Sequence, residues 1–466
     1  PEATYSAFSK AQRLGIIIIV CLIGLASPFA SVTYTPAIPT IARDVGVTVS
    51  QINLTVTTYL VAQAIAPTIW ASIGDIHGRR PLYIATLAVF IGSCVGMSVT
   101  DSYAALMVLR AMQAAGSAPN VALGSGVIGD VVHVSRRGGF MGFYMGLGGM
   151  GTAFGPILGG LFAEYTGWHG IFVFLTAFFA LCWIGYALLV PETLRGIVGD
   201  GRVPPPWYGR PPVKLLTPPA APNAEELRAA LPPKKKVDLL GPVKMLKEVD
   251  VVCCLLFAGL HFVTWQVSMV AIATILADRY GLSELDIGLA FISNGAGSFV
   301  ASLVMGKVMN RDYKVQLCKE AAAKAERGEE APQEVEMIER ARIRSLIAPT
   351  AGLNASVIAF GWTLQYRVHL AAPIIFHFFI GGLNMALLST TSTLMVDLFI
   401  TRASSVTASI NLVRCCFAAV GTAVVQPMID AMDVGWTFTT LSFICMLSCP
   451  LMLAEYVYGH RWRRKR

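Results

Sequence analysis

Two arginines lie deep inside long apolar stretches of this sequence, where charged side chains are rare. Arg110 lies in the stretch 103–129 and Arg414 in the stretch 404–429. An arginine at the centre of a membrane-spanning helix costs about 2.5–3.5 kcal/mol on insertion scales unless it faces protein or water. The pattern predicts that both guanidinium groups line a polar cavity. A structural arginine that snorkels to the membrane surface is the alternative for Arg110.

Amide, phenol and imidazole side chains accompany these arginines. They are Gln113, Asn411, Asn384, Asn294, Gln266, Gln426, Tyr59, Gln63, His377 and His261. No Asp or Glu lies in the middle of the first, second, seventh or eighth apolar stretch. Two buried cations without buried anions favour an anionic or neutral polar ligand, because a carboxylate forms charge-assisted hydrogen bonds with them.

The residue that would carry a proton is less well marked. His261 and His377 titrate in the useful range if water reaches them, and a packing role is the alternative for both. Carboxylates lie near the ends of the apolar stretches, where structural pairing is expected; they are Asp75, Asp130, Glu164 and Asp397. We expect substrate and proton to compete through Arg110 and Asp130.

Other chemistries have no support in the sequence. No nucleophile, base and orienting group occur at a recognisable spacing, and no nucleotide-binding or metal-ligand pattern appears, so we predict no enzyme activity, no cofactor and no metal. Nine of the ten cysteines fall inside apolar stretches and are interpreted as small buried hydrophobes. The net charge of +8 does not indicate nucleic acid, because the basic residues cluster between apolar stretches.

The elements that must position these residues are membrane-spanning helices. The chain is 55% hydrophobic and 14% charged, and runs of about 20 apolar residues, each long enough to cross a bilayer, recur along it. The first run is longer than a signal-peptide core, so we expect it to be retained. The predicted spans are 14–38, 51–73, 81–100, 103–129, 138–163, 169–190, 251–276, 285–309, 345–362, 368–396, 404–429 and 435–458.

The charges between these spans set the predicted orientation and domains. With both termini in the cytoplasm, nearly all Lys and Arg residues outside the spans fall on that side, as the positive-inside rule requires. The sequence therefore predicts an all-α fold with six-helix bundles at 1–191 and 251–466. A proline-rich and lysine-rich cytoplasmic linker with little fixed structure is predicted at 192–250. A charged cytoplasmic insert is predicted at 310–343, and its helix formers favour a short surface helix.

The two bundles also share short motifs, which indicates an internal repeat. Gly151-Thr152-Ala153 in the fifth span matches Gly421-Thr422-Ala423 in the eleventh, and a proline follows each at nearly the same distance. Gly167-Trp168 and Gly435-Trp436 each begin the next span.

The loop between the second and third spans carries a recognisable motif. Its sequence, Ala71-Ser72-Ile73-Gly74-Asp75-Ile76-His77-Gly78-Arg79-Arg80, resembles the loop signature G-x-L-x-D-R-x-G-R-R of the major facilitator superfamily. We predict a clasp of Asp75, Gly78, Arg79, Arg80 and Asp130 that holds the inward side shut. A basic anchor with a turn is the alternative. Gly306 to Arg311 is a weaker copy in the second bundle.

The fourth and fifth spans carry two further motifs of that superfamily. Arg110-Ala111-Met112-Gln113-Ala114 resembles R-x-x-Q-G, with Ala114 in place of the glycine. The pattern G-x8-G-x3-G-P-x2-G-G, associated with the antiporter branch, is matched at every fixed position by Gly142, Gly151, Gly155, Pro156, Gly159 and Gly160. Generic close packing of helices along a small-residue stripe is the alternative.

The flanking motifs narrow the resemblance. Tyr34 to Pro39 and Pro191 to Arg195 look like the twelve-span drug:proton antiporters of fungi, and Asn411 to Arg414 favours the subgroup with quinidine-resistance, dityrosine and organic-acid exporters. The resemblance implies a monomeric plasma-membrane transporter that exports a drug, secondary metabolite or organic acid against protons by alternating access. A proton-coupled nutrient importer and a non-transporting receptor on the same fold are the alternatives.

Overall fold

The structure is a computed structural model that describes residues 6–132, 134–219, 221–222, 224–229, 244–326, 336–399 and 403–465. Within these ranges it consists of α-helices joined by turns and short 3-10 segments, with no β-strand. The helices before residue 240 are α1 Lys10–Gly24, α2 Ala26–Val32, α3 Ile38–Val45, α4 Val49–His77, α5 Arg79–Met97, α6 Tyr103–Ser117, α7 Pro119–Val131, α8 Val134–Thr166, α9 Trp168–Leu189, α10 Arg195–Val198 and α11 Ala224–Ala229. Those after it are α12 Val249–Tyr280, α13 Glu284–Ala290, α14 Ile292–Ala325, α15 Ile338–Arg344, α16 Ile347–Gln365, α17 Ala371–Leu398 and α18 Ala403–Lys465.

The apolar helices agree with a membrane-spanning chain. Nine stretches of the described residues are long and apolar enough to cross a bilayer. One of them, Val406–Arg463, contains a break at Asp433, whose φ of 62° lies outside the helical region. That break falls between the predicted eleventh and twelfth spans. The count of twelve spans stays a prediction.

Prolines explain why several predicted spans are broken helices. The first span, predicted as one helix over 14–38, is divided among α1, α2 and the turn before α3, because Pro28 and Pro36 cannot donate the backbone hydrogen bonds that would continue a single helix. In the fourth span, Pro119 begins α7 directly after α6 has ended at Ser117. Each break leaves backbone carbonyls without a helical partner, where a side chain can bind.

Two segments differ from the prediction. The helix of the eighth span does not end near residue 309 but continues to Ala325, because the insert that follows is rich in helix formers such as Lys, Glu and Ala. The predicted lack of fixed structure in the linker is wrong for residues 192–219. There Val198, Val203 and Leu216 are buried, and Val213 N donates a hydrogen bond to Leu188 O at 3.1 Å.

The chain divides into two compact units, residues 1–47 with 61–239 and residues 48–60 with 240–466. In the first unit, α5 packs on α6 and α9, and α2 packs on α8. An aromatic pair lies in its core, where the rings of Tyr83 and Tyr186 are 4.7 Å apart. The domain boundaries predicted from the linker stay a prediction.

The second unit contains a very close helix crossing between α14 and α17. A β-carbon added to Gly297 would collide with the carbonyl oxygen of Phe378, and one added to Gly382 would lie 2.8 Å from the carbonyl oxygen of Gly297. Glycine is the residue that lets two membrane helices approach until their backbones touch. Asn294 lies beside this crossing and donates a hydrogen bond to His377 O at 3.2 Å.

Gly297→Val tests this crossing. The added side chain would meet the backbone of α17 and separate the helices, which costs about 1–3 kcal/mol or more for an overpacked site. We expect the unfolding temperature of the purified protein to fall clearly. Gly306→Val in the same helix is the matched control, because a β-carbon there meets nothing within 4 Å. Equal unfolding temperatures for the two variants would contradict the crossing.

Candidate functional site

Arg110 of α6 is completely buried in the first unit. Its Nη1 donates hydrogen bonds to Ala30 O at 2.9 Å and to Gln113 Oε1 at 2.6 Å, and its guanidinium lies 4.5 Å from the centre of the Tyr34 ring. Ala30 belongs to the last turn of α2, and the last turn of a helix commonly has carbonyls without a helical partner and a dipole that favours a cation. The break between α2 and α3 therefore builds a polar seat for the arginine.

Gln113 extends this polar seat across the first unit. It lies one helical turn after Arg110, so the two side chains share a face of α6. Its Oε1 accepts from Arg110, and its Nε2 donates to Cys94 Sγ of α5 at 3.3 Å. The partners of the guanidinium named so far are all uncharged. The structure thus brings Arg110 and Gln113 together, and their predicted role in substrate binding stays a prediction.

Arg414 has a comparable environment in the second unit. Its Nη2 and Nε donate to Asn411 Oδ1 at 3.0 and 3.3 Å, and its guanidinium lies 5.0 Å from the centre of the Phe262 ring in α12. Unlike Arg110, it is only half-buried. In each unit an arginine is therefore held by an amide three residues away and by the face of an aromatic ring.

The other predicted cavity residues are distributed among several contacts. Gln266, Asn384 and Tyr59 are buried. Gln63 donates to Ser27 Oγ at 3.2 Å, and Gln426 donates to Asp430 Oδ1 at 3.0 Å. The membership of these side chains in a substrate site stays a prediction.

The two histidines occupy packed environments. His377 is completely buried, stacks on Phe360 at 5.7 Å between ring centres, and has no hydrogen-bond partner for either ring nitrogen among the described residues. His261 contacts Phe257 O through Nδ1 at 2.9 Å and Asn354 Nδ2 through Nε2 at 3.4 Å. A neutral ring that donates from Nδ1 and accepts at Nε2 fits both contacts. These placements favour the packing role over proton transfer.

The predicted clasp lies where α4 ends and α5 begins. Gly78 has a φ of 107°, which favours glycine, and Arg79 Nε lies 3.7 Å from Asp130 Oδ2. Arg80 donates to the carbonyl oxygens of Tyr186, Ala187 and Val190 at the end of α9. The side chain of Asp75 lies outside the described residues. Because Asp130 is paired with Arg79, a structural role suits it better than proton transfer.

Glu192 completes this clasp, although no sequence pattern assigned it that role. Its carboxylate accepts hydrogen bonds from the backbone N–H groups of Arg79 at 2.9 Å and Arg80 at 3.1 Å, and also from those of Thr193 and Leu194, both at 2.9 Å. It therefore caps α5 with an anion, as the helix dipole favours. A β-carbon at Gly78 would collide with this carboxylate. The available signal was a carboxylate directly after the sixth span.

A second ion pair repeats part of this arrangement in the second unit. Arg342 of α15 approaches Asp397 Oδ2 with Nη2 at 2.9 Å and Nε at 3.0 Å. Asp397 is the penultimate residue of α17, just as Asp130 is the penultimate residue of α7. The weaker motif copy at Gly306 to Arg311 lies within the continuous helix α14, so it does not form the turn that its counterpart forms in the first unit.

Helix α15 ties several other helix ends to that ion pair. Glu339 lies 3.4 Å from Arg463 of α18, and the Arg340 guanidinium lies 5.5 Å from the centre of the Tyr456 ring. Ser345, directly after α15, donates to Asp312 of α14 at 2.6 Å. This short helix therefore connects α14 with the ends of α17 and α18.

The glycines of the fifth-span motif pack on the first span. Gly151 faces Pro28, Gly155 faces Val32, and a β-carbon at Gly159 would collide with the carbonyl oxygen of Thr33. Pro156 lies within α8, and Gly160 is buried. Gly142 also lies in α8. The structure thus gives the stripe a packing function beside the seat of Arg110, and the antiporter interpretation of the motif stays a prediction.

Comparisons with known proteins agree with this architecture. The family model described as Major Facilitator Superfamily matches residues 20–422. Citrate exporter 1 of Aspergillus niger is 33% identical over 98% of this chain and 88% of its own length. The MFS antiporter QDR2 of Candida albicans is 34% identical over 96% of this chain and 88% of its own length.

A solved structure shows the same fold at low sequence identity. The xylose transporter XylE from E. coli, in a partially occluded inward-open conformation, is 12% identical with a TM-score of 0.65. The similarity covers 96% of this chain and 98% of that one. At this identity the likeness concerns the fold alone.

Glu192→Ala tests the missed member of the clasp. The change removes the acceptor of four backbone N–H groups, and each buried donor left unsatisfied costs about 1–3 kcal/mol before water compensates. We expect a lower unfolding temperature and faster hydrogen exchange at the first turn of α5. Glu192→Gln, which keeps an acceptor oxygen, should give an intermediate result.

Glu226→Ala serves as the control for this test, because Glu226 is exposed in α11. If Glu192→Ala left hydrogen exchange at Arg79 and Arg80 at the level of this control, the capping role would be excluded.

Proposed function

Because this chain belongs to the major facilitator superfamily, we propose that it is a transporter that exports a small organic molecule in exchange for protons. The observation that carries the proposal is the near-complete alignment with proteins named as a citrate exporter and as antiporters. The match to every fixed position of the fifth-span antiporter pattern also supports export in exchange for protons. The proposed function is transport alone, without a catalytic step.

The preferred substrate class that we propose is an organic acid or a polar neutral molecule. A guanidinium binds a carboxylate with paired, charge-assisted hydrogen bonds. Arg110 is held in a rigid seat by Ala30, Gln113 and Tyr34, so it is pre-oriented. Preorganised groups lose less entropy on binding. Lipophilic drugs remain the second substrate class.

The proposed setting is the plasma membrane, with a monomeric protein and both termini in the cytoplasm. The positive-inside distribution of Lys and Arg supports this orientation. The transport cycle is alternating access, in which the protein opens to one side of the membrane and then to the other. The clasp that includes Glu192 in the first unit, and the ion pair of Arg342 with Asp397 in the second, would stiffen the helix ends within each unit during this cycle.

Transport against a proton gradient tests the coupling. Purified protein in liposomes is given labelled citrate, or a labelled lipophilic cation, outside the vesicles. Antiport predicts that an acidic lumen drives uptake, because protons leave as substrate enters. Faster uptake with an acidic exterior would instead establish symport, and uptake that ignores both gradients would reject proton coupling.

Arg110→Lys and Arg414→Lys test the substrate class. Lysine keeps the charge but not the planar fork, so losing a charge-assisted hydrogen bond of about 1.5–3 kcal/mol should reduce transport of an organic anion by about tenfold or more. Transport of a lipophilic cation should fall less.

Arg43→Lys is the control for these variants, because this exposed arginine lies in the last turn of α3. Unfolding temperatures of all variants show whether a loss of transport is only a loss of folding. Unchanged anion transport by both folded variants would overturn the proposed role of the arginines.

A further inference from the structure

The segment that follows the sixth span is ordered and fixed to the first unit. Ala7 N donates to Asp200 O at 2.9 Å, and Gln12 Nε2 donates to Thr217 O at 3.2 Å. The same Gln12 side chain closes the capping box that begins α1. The segment is therefore held against the first turn of α1 and is part of the fold of this unit.

Two contacts set the depth of this segment relative to the membrane-spanning helices. Val213 N donates to the carbonyl oxygen of Leu188, which lies in the last turn of α9. Leu216 is only 7% exposed and packs beside Gly15 in the second turn of α1. Residues 213–216 thus lie level with the ends of the first and sixth spans, which is the depth of the lipid headgroups.

The outer face of this segment is apolar and aromatic. Trp207 is 83% exposed and Leu215 is 69% exposed, while Val213 and Tyr208 are also exposed. The adjacent Leu216 is instead packed beside Gly15 of α1. A large exposed apolar patch marks an interaction site, and Trp and Tyr are enriched where a membrane meets water.

Basic side chains accompany this face. Arg210 and Lys214 are exposed between the apolar residues. An apolar face with interspersed Lys and Arg suits a membrane surface that contains anionic lipids, and each basic residue near such a surface favours binding by about fivefold. A soluble protein partner would need access to residues that lie at headgroup depth.

We propose that residues 207–215 form a membrane-surface anchor, in which Trp207, Val213 and Leu215 enter the headgroup region while Arg210 and Lys214 bind anionic lipid headgroups. The anchor holds the ends of α1 and α9 at a fixed depth in the bilayer. This role is separate from transport, and its test does not require a substrate.

Fluorescence of Trp207 tests insertion. The difference in emission between the unaltered protein and Trp207→Phe isolates this side chain from the other tryptophans. In liposomes, lipids brominated near the headgroups should quench most of this difference signal, and iodide in the water should quench little of it. Strong iodide quenching without quenching by brominated lipid would overturn the anchor and leave the face to a soluble partner.

Thermal unfolding tests the charge preference. The unfolding temperature of the unaltered protein should rise when phosphatidylserine is added to bilayers of phosphatidylcholine. Lys214→Gln should show a smaller rise in unfolding temperature. Lys319→Gln, at an exposed lysine in the protruding end of α14, is the matched control and should keep the full gain. Equal gains for both variants would overturn the lipid-headgroup contact.

Discussion

A buried charge in a membrane-spanning helix must find its partners within the protein, and this constraint organises the first unit. Water cannot solvate Arg110 at its complete burial, so the surrounding helices supply the polar groups. The supply depends on the break after α2, because a carbonyl oxygen in the last turn of that helix, that of Ala30, accepts from Arg110. The glycine stripe of α8 then lets that helix approach the same broken span.

Charged side chains also bind backbone groups at the helix ends, a cation at a carboxyl end and an anion at an amino end. Arg80 binds carbonyl oxygens at the carboxyl end of α9, and Glu192 binds N–H groups at the amino end of α5. Each side chain meets the end of the helix dipole that attracts it. The ion pairs of Asp130 and Asp397 each lie at the penultimate residue of a helix, one in each unit, as the predicted internal repeat would require.

Much of the fold could be predicted because a chain that crosses a membrane must satisfy its backbone hydrogen bonds internally, which a helix does. A long apolar stretch in the sequence therefore indicates a membrane-spanning helix. The family was also readable, and the spacing of three residues placed Gln113 beside Arg110. The other partner of that charge was not readable, because a backbone carbonyl such as that of Ala30 leaves no side-chain signal. Glu192 was missed for a related reason: the two N–H groups that it binds at the start of α5 belong to residues more than a hundred positions away.

The linker and the insert show where composition misleads. Proline-rich sequence indicated little fixed structure, yet residues 192–219 gain order from single contacts such as Leu216 on Gly15. The charged insert was expected to form a separate surface segment, yet its helix formers continue α14 to Ala325. In the linker tertiary contacts outweighed the amino-acid composition, and in the insert local helix propensity outweighed it.

The length of α14 has a mechanical consequence. Its 34 residues make a rod about 51 Å long, whereas the hydrocarbon core measures about 30 Å. The part after residue 309 extends about 24 Å further and is bonded to Ser345 through Asp312, so a tilt of about 10° in the membrane would displace its tip sideways by about 4 Å and carry α15 with it. A small rotation of this one span would therefore produce a movement of several ångströms outside the bilayer.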